Sequence, residues 1–329
     1  MLRFLIKRLL LGAMTLILVS IVGFALFFMV PSSPAYVMCG KNCSPERIAQ
    51  VNESLGLDRP AHQQYADFVK GVFVGRTIVD ATTVRECPAP CLGYSFRGRE
   101  PVTDMMKRSF PVTASVVGGA MVIYLTVGVG LGMISALRKG TLFDRGAIAL
   151  SLGFASTQIY TLGFLLLLLL VYTLGVLPNP SYTPITQDPV AWASGLLLPW
   201  ITLGLINSAA YARFSRAQMV ETLSEDFVRT ARAKGLPNRT VNGRHALRAA
   251  ITPIVTIAGL DLGVQLGGVL ITESVFSLNG IGRAAVEAVG ELNLPVVMAT
   301  VLIAAFFIVT MNIIVDMLYA VIDPRVRLG

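Results

Sequence analysis

Long apolar stretches alternate with short polar segments along this chain. Six apolar stretches cover about residues 9–30, 112–136, 146–172, 191–213, 251–275 and 296–321. Each is close to or longer than the roughly 20 residues that a helix needs to cross the hydrocarbon core of a membrane. We therefore predict an all-α membrane protein with six transmembrane helices. The first stretch exceeds the roughly 7–15 apolar residues of a signal peptide, so we expect it to remain as an anchor.

The positions of the charged residues orient these predicted spans. Lys and Arg concentrate at the N-terminus, in the polar segments 137–145 and 214–250, and at the C-terminus. All four regions lie on the same side of the membrane if the spans alternate, and positive loops favour the cytoplasm. We therefore expect both termini to be cytoplasmic.

The composition agrees with a membrane protein. Hydrophobic residues make up 54% of the chain and charged residues only 14%, whereas soluble proteins carry about 25% charged residues. The orientation of the spans explains the net charge of +8, because basic residues crowd their cytoplasmic ends. No stacking aromatic residues accompany the arginines, which argues against nucleic-acid binding.

The hydropathy pattern divides the chain into three parts. Residues 1–30 hold a cytoplasmic tip and the first span, and residues 31–108 form an extracytoplasmic loop domain. Residues 109–329 form a five-helix core, in which residues 214–250 are the largest cytoplasmic loop.

All four cysteines fall in the extracytoplasmic loop domain, at Cys39, Cys43, Cys87 and Cys91. Thiols outside the cytoplasm usually pair as disulfides. The connectivity stays open between Cys39–Cys43 with Cys87–Cys91 and crossed bridges that tie the two ends of the loop together. A four-cysteine zinc site fits the spacing, but zinc needs free thiolates, which an oxidising compartment disfavours. We therefore predict two disulfides and no metal site.

The cytoplasmic loop contains a short charged helix, here named the loop helix, whose two ends are both marked. Ser224 can cap its first turn, Gly235 can supply a left-handed end, and Pro237 prevents continuation. The candidate contact residues are Glu225, Asp226, Phe227, Arg229, Ala231, Arg232, Ala233, Lys234 and Gly235. A helix this short is marginal in water unless it packs on something. We therefore expect the loop helix to bind a soluble partner.

The residue types in the loop helix indicate separate tasks. Phe227 is a candidate hydrophobic anchor, and the cations can pair with acidic groups of a partner. Ala231 and Ala233 keep part of the helix slim. Glu225 and Arg229 are four residues apart, in the order that favours an ion pair.

Two predicted spans carry rows of small residues suited to close helix packing. Gly259, Gly263 and Gly267 recur every four residues in the fifth span, and Gly128 and Gly132 have the same spacing in the second. Such rows let two membrane helices touch backbone to backbone. We expect these glycines to pack against neighbouring helices.

The opposite face of the fifth span is polar. Asp261 and Gln265 share this face, and Thr272 continues the stripe. An ionisable residue at this depth costs several kcal/mol unless it meets water or a partner. Two interpretations stay open. Either these residues line a substrate path, or Asp261 makes a hydrogen bond to another helix, for example to Asn207 or Gln158.

The sequence holds none of the usual catalytic arrangements. It contains no G-x-x-x-x-G-K-[ST] phosphate loop and no Gly-x-Ser-x-Gly elbow. Its two histidines, His62 and His245, fall on opposite sides of the membrane in the predicted topology. We therefore predict that this chain is not itself an enzyme and needs no cofactor.

Several motifs along the chain point to one family. They are EDFVRTARAKGL at 225–236, RHALR at 244–248, TP at 252–253, LGLDRP at 55–60, GYSF at 93–96, ESVF at 273–276, GIG at 280–282 and DPRVR at 323–327. Together they resemble the membrane subunits of ABC importers, most of all the B-type permease of the oligopeptide, dipeptide and nickel branch. The resemblance covers nearly the whole chain, although the paired cysteines depart from the usual pattern.

The resemblance implies a type I ABC importer fold and a non-catalytic permease subunit in the bacterial inner membrane. The loop helix would be the coupling helix that inserts into a groove on an ATP-binding subunit. The expected partners are a second homologous permease, two ATP-binding subunits or a fused one, an extracytoplasmic substrate-binding protein and membrane lipid. Peptides are the expected substrate, with ATP hydrolysed by the partner subunits.

The alternative function is a stand-alone channel or an ion-coupled secondary transporter. Such a protein would need no ATPase and would carry a relay of charged residues within its spans. Only Asp261 and Asp316 clearly lie at membrane depth in the predicted topology. Two acidic residues are thin support for a relay.

Overall fold

The computed structural model describes residues 2–28, 59–80, 83–95 and 98–322, most of them helical. The helices are Leu2–Phe28, Ala61–Val74, Val102–Ile123, Gly130–Leu137, Leu142–Ser156, Ile159–Leu166, Pro189–Ser224, Asp226–Ala233, Asn238–Thr240, Leu247–Leu266, Leu270–Val275, Ile281–Gly290 and Leu294–Ile322. Three π-helical segments continue helices, at Tyr124–Val129, Leu167–Thr173 and Val241–Ala246. The strands are two short antiparallel hairpins, Arg76–Asp80 with Thr83–Cys87 and Tyr94–Ser95 with Glu100–Pro101.

The predicted number of membrane spans is confirmed. Within the described ranges, five helices are long and apolar enough to cross a membrane: Leu5–Ala25, Val102–Leu137, Pro189–Ser224, Asn238–Leu266 and Leu294–Leu318. A bent pair, Leu142–Ser156 with Ile159–Thr173, passes the same test together and, taken as one broken span, is the third of six. The spans are numbered below in chain order. The second and fourth extend well beyond their apolar stretches, because their polar ends continue the same helices.

The third span is not the continuous helix that the apolar stretch 146–172 predicted. Its two halves meet at 97°, and Thr157 between them has an extended backbone. The hydroxyls of Ser156 and Thr157 both donate to the Gly153 carbonyl, at 2.9 and 3.0 Å. Serine and threonine side chains compete with backbone hydrogen bonds in this way. The local side-chain bonds therefore accompany the break.

The fifth span ends earlier than the sequence predicted. Its helix stops at Leu266, and Gly268 follows with a φ of +128°. A Cβ atom at Gly268 would lie 2.8 Å from the backbone of Gly282. Both the φ angle and the lack of space require glycine at this position. The chain therefore leaves the helix here and begins a new one at Leu270.

This early end corrects two predicted alignments. Gly267 lies beyond the helix that carries Gly259 and Gly263, so the three glycines do not form one helical row. Thr272 lies in the separate helix Leu270–Val275, so it does not continue a stripe from the fifth span. Both predictions assumed a helix through residue 275.

The described residues fall into two compact units. The first contains the described residues of the ranges 1–113, 267–270 and 279–310, and the second contains those of the ranges 114–266, 271–278 and 311–329. The first span and part of the sixth thus group with the extracytoplasmic segment. The predicted division into three parts, which followed the hydropathy pattern, stays a prediction.

In the first unit, the extracytoplasmic helix Ala61–Val74 packs on the first span. Phe68 lies against Phe24, with ring centroids 6.3 Å apart. Both side chains are buried together with Met298. This contact is hydrophobic, so burial of apolar surface holds the extracytoplasmic helix in place.

A disulfide joins Cys87 to Cys91 in the same unit. Both residues are buried. This pair is one of the connectivities predicted for the loop, and it excludes a crossed bridge to either of its cysteines. Cys39 and Cys43 lie outside the described residues.

In the second unit, the second and fourth spans touch backbone to backbone. A Cβ atom at Gly128 would lie 2.8 Å from the Ser208 carbonyl, and one at Gly132 would lie 2.4 Å from the Ala212 carbonyl. Separations this short leave no room for a side chain at either glycine. The structure thus places Gly128 and Gly132 at a helix contact, and the cytoplasmic ends of the two spans lie side by side.

Candidate functional site

The loop helix begins one residue later than the sequence predicted. It covers Asp226–Ala233, with Glu225 as the N-cap residue and no side-chain cap. Ser224 is the last residue of the fourth span, and its hydroxyl donates to the Glu221 carbonyl at 2.7 Å. The predicted capping by Ser224 is therefore wrong, because Ser224 belongs to the last turn of the preceding helix. A single extended residue, Glu225, separates the two helices.

The C-terminal end of the loop helix has the left-handed geometry that the sequence predicted. Gly235 has a φ of +76°. Its N–H donates to the Arg232 carbonyl at 2.9 Å, and the Leu236 N–H donates to the Ala231 carbonyl at 3.3 Å. These two bonds form a Schellman motif, which satisfies carbonyls that the helix leaves free. The end of the helix is therefore firmly defined.

One face of the loop helix packs on the chain's own second unit. Val228 is completely buried, and Ala231 is nearly so. Both belong to an apolar cluster with Met219 of the fourth span and with Val241 and Ala246 of the following π-helical segment. Ala231 thus fills an internal contact. Its predicted role in keeping the helix slim for a partner stays a prediction.

The opposite face of the loop helix is exposed. Phe227 leaves 45% of its surface accessible. The other exposed members of the predicted set are Glu225, Asp226, Arg229, Arg232, Ala233, Lys234 and Gly235. This face carries one aromatic ring surrounded by charges of both signs.

The ion pair on the exposed face differs from the predicted one. Arg229 pairs with Asp226 at 3.6 Å, whereas the spacing predicted Glu225 as its partner. Glu225 lies outside the helix as the N-cap residue, so the geometry for pairs four residues apart does not apply to it. An exposed pair of this kind contributes little to stability.

At membrane depth, Asp261 makes a hydrogen bond to another helix. The Tyr211 hydroxyl of the fourth span donates to its carboxylate at 2.6 Å. The predicted partners were Asn207 and Gln158. Asn207 instead donates to Leu203 of its own helix, and Gln158 is exposed. Asp261 itself is half-buried. Its carboxylate can therefore make this hydrogen bond and still be accessible from a substrate path.

Tyr124 and Tyr211 extend this polar group and were missed by the sequence-based reasoning. Their rings lie 4.9 Å apart between centroids. The Tyr124 hydroxyl interacts with the Gln265 side chain, whose carbonyl oxygen is buried without a hydrogen-bond partner among the described residues. A signal was available, because Tyr124 lies one helical turn before Gly128 on the face that meets the fourth span.

The other predicted site residues have separate positions. Thr272 is buried, and its hydroxyl likewise lacks a partner within the described ranges. Gly259 packs on the sixth span, where an added Cβ would contact Val315, and Gly263 is buried. Among the residues that the structure describes, no group of three His, Cys, Asp or Glu side chains could hold a metal ion.

Comparison with known proteins identifies related chains along the whole length. The family described as "Binding-protein-dependent transport system inner membrane component" matches residues 128–328, and the model of the corresponding N-terminal region matches residues 1–117. The dipeptide transport system permease protein DppB of Escherichia coli (strain K12) is 35% identical over 99% of both chains. A putative peptide transport system permease of Brucella abortus (strain 2308) is 33% identical over 98% of both. The di/tripeptide permease DppB of Pseudomonas aeruginosa is 35% identical over 99% of both.

Proposed function

Because this chain belongs to the family of binding-protein-dependent transport system inner membrane components, we propose that it forms half of the passage of an ATP-driven peptide importer. It is a multi-pass permease subunit of the bacterial inner membrane. The names of its relatives as dipeptide, di/tripeptide and peptide permeases support peptides as the cargo. A second permease would supply the other half of the passage.

The exposed face of the loop helix is the observation that carries this proposal. Its inner face is anchored by Val228 and Ala231, so the helix does not need a partner in order to stay in place. Phe227 nevertheless remains exposed beside five charged side chains. An aromatic ring inside a rim of charges is the usual composition of a contact hot spot. We assign this face to docking of an ATP-binding subunit.

The division of labour follows from this docking. This chain would contribute the passage and the coupling surface, while two ATP-binding subunits, or a fused one, would hydrolyse ATP. An extracytoplasmic binding protein would deliver the peptide. The fourth span leads directly into the loop helix through Glu225 alone. Movement of a docked ATPase would therefore pass straight into a membrane helix, as alternating access requires.

We further assign the polar group at Asp261 to the substrate path. The half-buried Asp261 carboxylate can attract the ammonium group of a peptide, and the buried Gln265 oxygen has a free acceptor site. Unsatisfied buried polar atoms are costly, so they call for water or a ligand during the transport cycle. Thr272, in the next helix along the chain, supplies a second such atom.

The docking assignment is tested by the variant Phe227→Asp. We expect it to insert into the membrane normally and to lose both co-purification of ATP-binding subunits and ATP-dependent peptide uptake. Leu142→Asp is the matched control, since Leu142 is a still more exposed apolar residue at the cytoplasmic start of the third span. Phe227→Leu should retain most of the activity because it preserves an apolar contact.

Two results would contradict the proposed function. One is uptake at the wild-type rate by Phe227→Asp, which would remove the ring from the docking surface. The other is peptide uptake by the purified permease pair without any ATPase subunit, which would favour the channel or carrier alternative.

A further inference from the structure

A buried acidic residue lies at the cytoplasmic start of the third span, away from both assigned sites. Asp144 is only 2% exposed. Its carboxylate accepts hydrogen bonds from the Ser135 hydroxyl, the Gly140 N–H, and the Nε and Nη2 atoms of Arg216. Four donors satisfy the full capacity of a carboxylate. Asp144 is therefore a fully satisfied buried anion.

Arg216 contributes the strongest part of this arrangement. Its Nε lies 2.6 Å from one carboxylate oxygen, and its Nη2 lies 2.8 Å from the other. Two parallel bonds between a guanidinium and a carboxylate fix orientation as well as distance. A lysine at the same place would keep the charge and lose this geometry.

The bonds of Asp144 join three membrane segments at one point. Ser135 belongs to the end of the second span, Asp144 to the third, and Arg216 to the fourth. The second and fourth spans also touch here, since a Cβ atom at Gly132 would lie 3.0 Å from the backbone nitrogen of Arg216. The three cytoplasmic ends are thus tied together within one small region.

The position of this junction relates it to the loop helix. Arg216 precedes Ser224, the last residue of the fourth span, by about two helical turns, or roughly 12 Å along the axis. Glu225 and the loop helix follow at once. Met133 and Ala136 of the second span belong to the same apolar cluster as Val228 of the loop helix.

From this geometry we propose that Asp144 and Arg216 form a positioning clamp, which makes the second, third and fourth spans move as one body with the docked loop helix. The inference rests on the proposed function. Apolar contacts alone let packed helices slide by small amounts. A bidentate ion pair resists sliding because a small shift breaks both hydrogen bonds at once. The clamp would thereby convert displacement of the loop helix into movement of the passage.

The test uses the complete transporter, reconstituted in liposomes with its ATP-binding subunits and binding protein. The measured quantity is labelled peptide taken up per ATP hydrolysed, with a mixture of di- and tetrapeptides as the probe. For Arg216→Lys, we expect this ratio to fall about tenfold while ATPase subunits stay bound, because one bond replaces two.

Arg213→Lys is the matched control. Arg213 lies on the same helix and is similarly half-buried, and among the described residues it donates one bond, to the Ser151 carbonyl at 3.5 Å. This substitution removes a guanidinium without touching the clamp. We expect a wild-type ratio of uptake to hydrolysis.

A second variant guards against a simple failure to fold. Removing one partner of a buried ion pair leaves an unpaired charge, whereas removing both charges is often tolerated. The double variant Asp144→Asn with Arg216→Gln should therefore assemble and should show the same loss of coupling as Arg216→Lys.

The outcomes separate this inference from the proposed function. A wild-type ratio in either Arg216→Lys or the double variant would overturn the clamp while leaving the importer assignment intact. Failure of both variants to assemble would also overturn it, because the pair would then serve folding alone. If the wild-type complex takes up no peptide with ATP, the proposed function itself fails.

Discussion

Replacing Gly235 changes the backbone at the C-terminal end of the loop helix and leaves the side chains of its exposed face unchanged. Gly235 has a φ of +76°, and among the described residues nothing lies within 4 Å of a Cβ atom built there. A side chain at this position therefore has enough space, and only the backbone conformation disfavours it. An L-residue in the left-handed region costs about 1–2 kcal/mol. Proline cannot adopt it at all, since its ring holds φ near −65°.

These costs predict a graded series. A penalty of about 1–2 kcal/mol changes the ratio of native to altered helix ends by roughly 5- to 30-fold. Gly235→Ala should therefore reduce peptide uptake partially. Gly235→Asn should stay nearer to wild type, because asparagine tolerates the left-handed region. Gly235→Pro should abolish uptake while the protein still inserts into the membrane.

The assay compares ATP-dependent peptide uptake by membrane vesicles with the amount of protein in the same membranes. Gly243→Ala is the control, because Gly243 is an exposed glycine in the same loop, with open space and no positive φ. Its uptake should match wild type. Wild-type uptake by Gly235→Pro would refute the reasoning. So would a ranking of the variants by uptake that does not follow how well each residue adopts the left-handed backbone conformation.

Two further predictions concern the membrane helices. Asp261→Ala removes the carboxylate that we assign to the ammonium group of the peptide. It should lower uptake about tenfold or more with unchanged protein in the membrane, because a hydrogen bond to a charged group contributes roughly 1.5–3 kcal/mol. Immunoblots that show degradation of this variant would favour a purely structural bond to Tyr211. Gly132→Val should lower the thermal unfolding temperature of the purified permease, since overpacking costs about 1–3 kcal/mol. Gly130→Val, where an added Cβ meets nothing within 4 Å among the described residues, should unfold near the wild-type temperature.

The loop helix illustrates how far local sequence signals reach. Gly235 and Pro237 marked its end correctly, because a left-handed glycine followed by proline stops a helix whatever surrounds it. The start was misplaced, because Ser224 could serve either as a cap or as the end of the fourth span. The sequence also could not separate the buried Ala231 from the exposed Ala233. That distinction depends on where the segment Val241–Ala246 folds back.

The sequence by itself determined the class of protein, the number of spans and the position of the loop helix. These follow from the length of apolar runs and from short-range backbone chemistry, which act within a few turns of helix. Only the tertiary structure decided that Tyr211 is the partner of Asp261 and that Asp144 meets Arg216. Both pairs join residues far apart in the chain. Their contacts depend on how whole helices pack, and the spacing of residues along one helix does not show which residues of other helices it contacts.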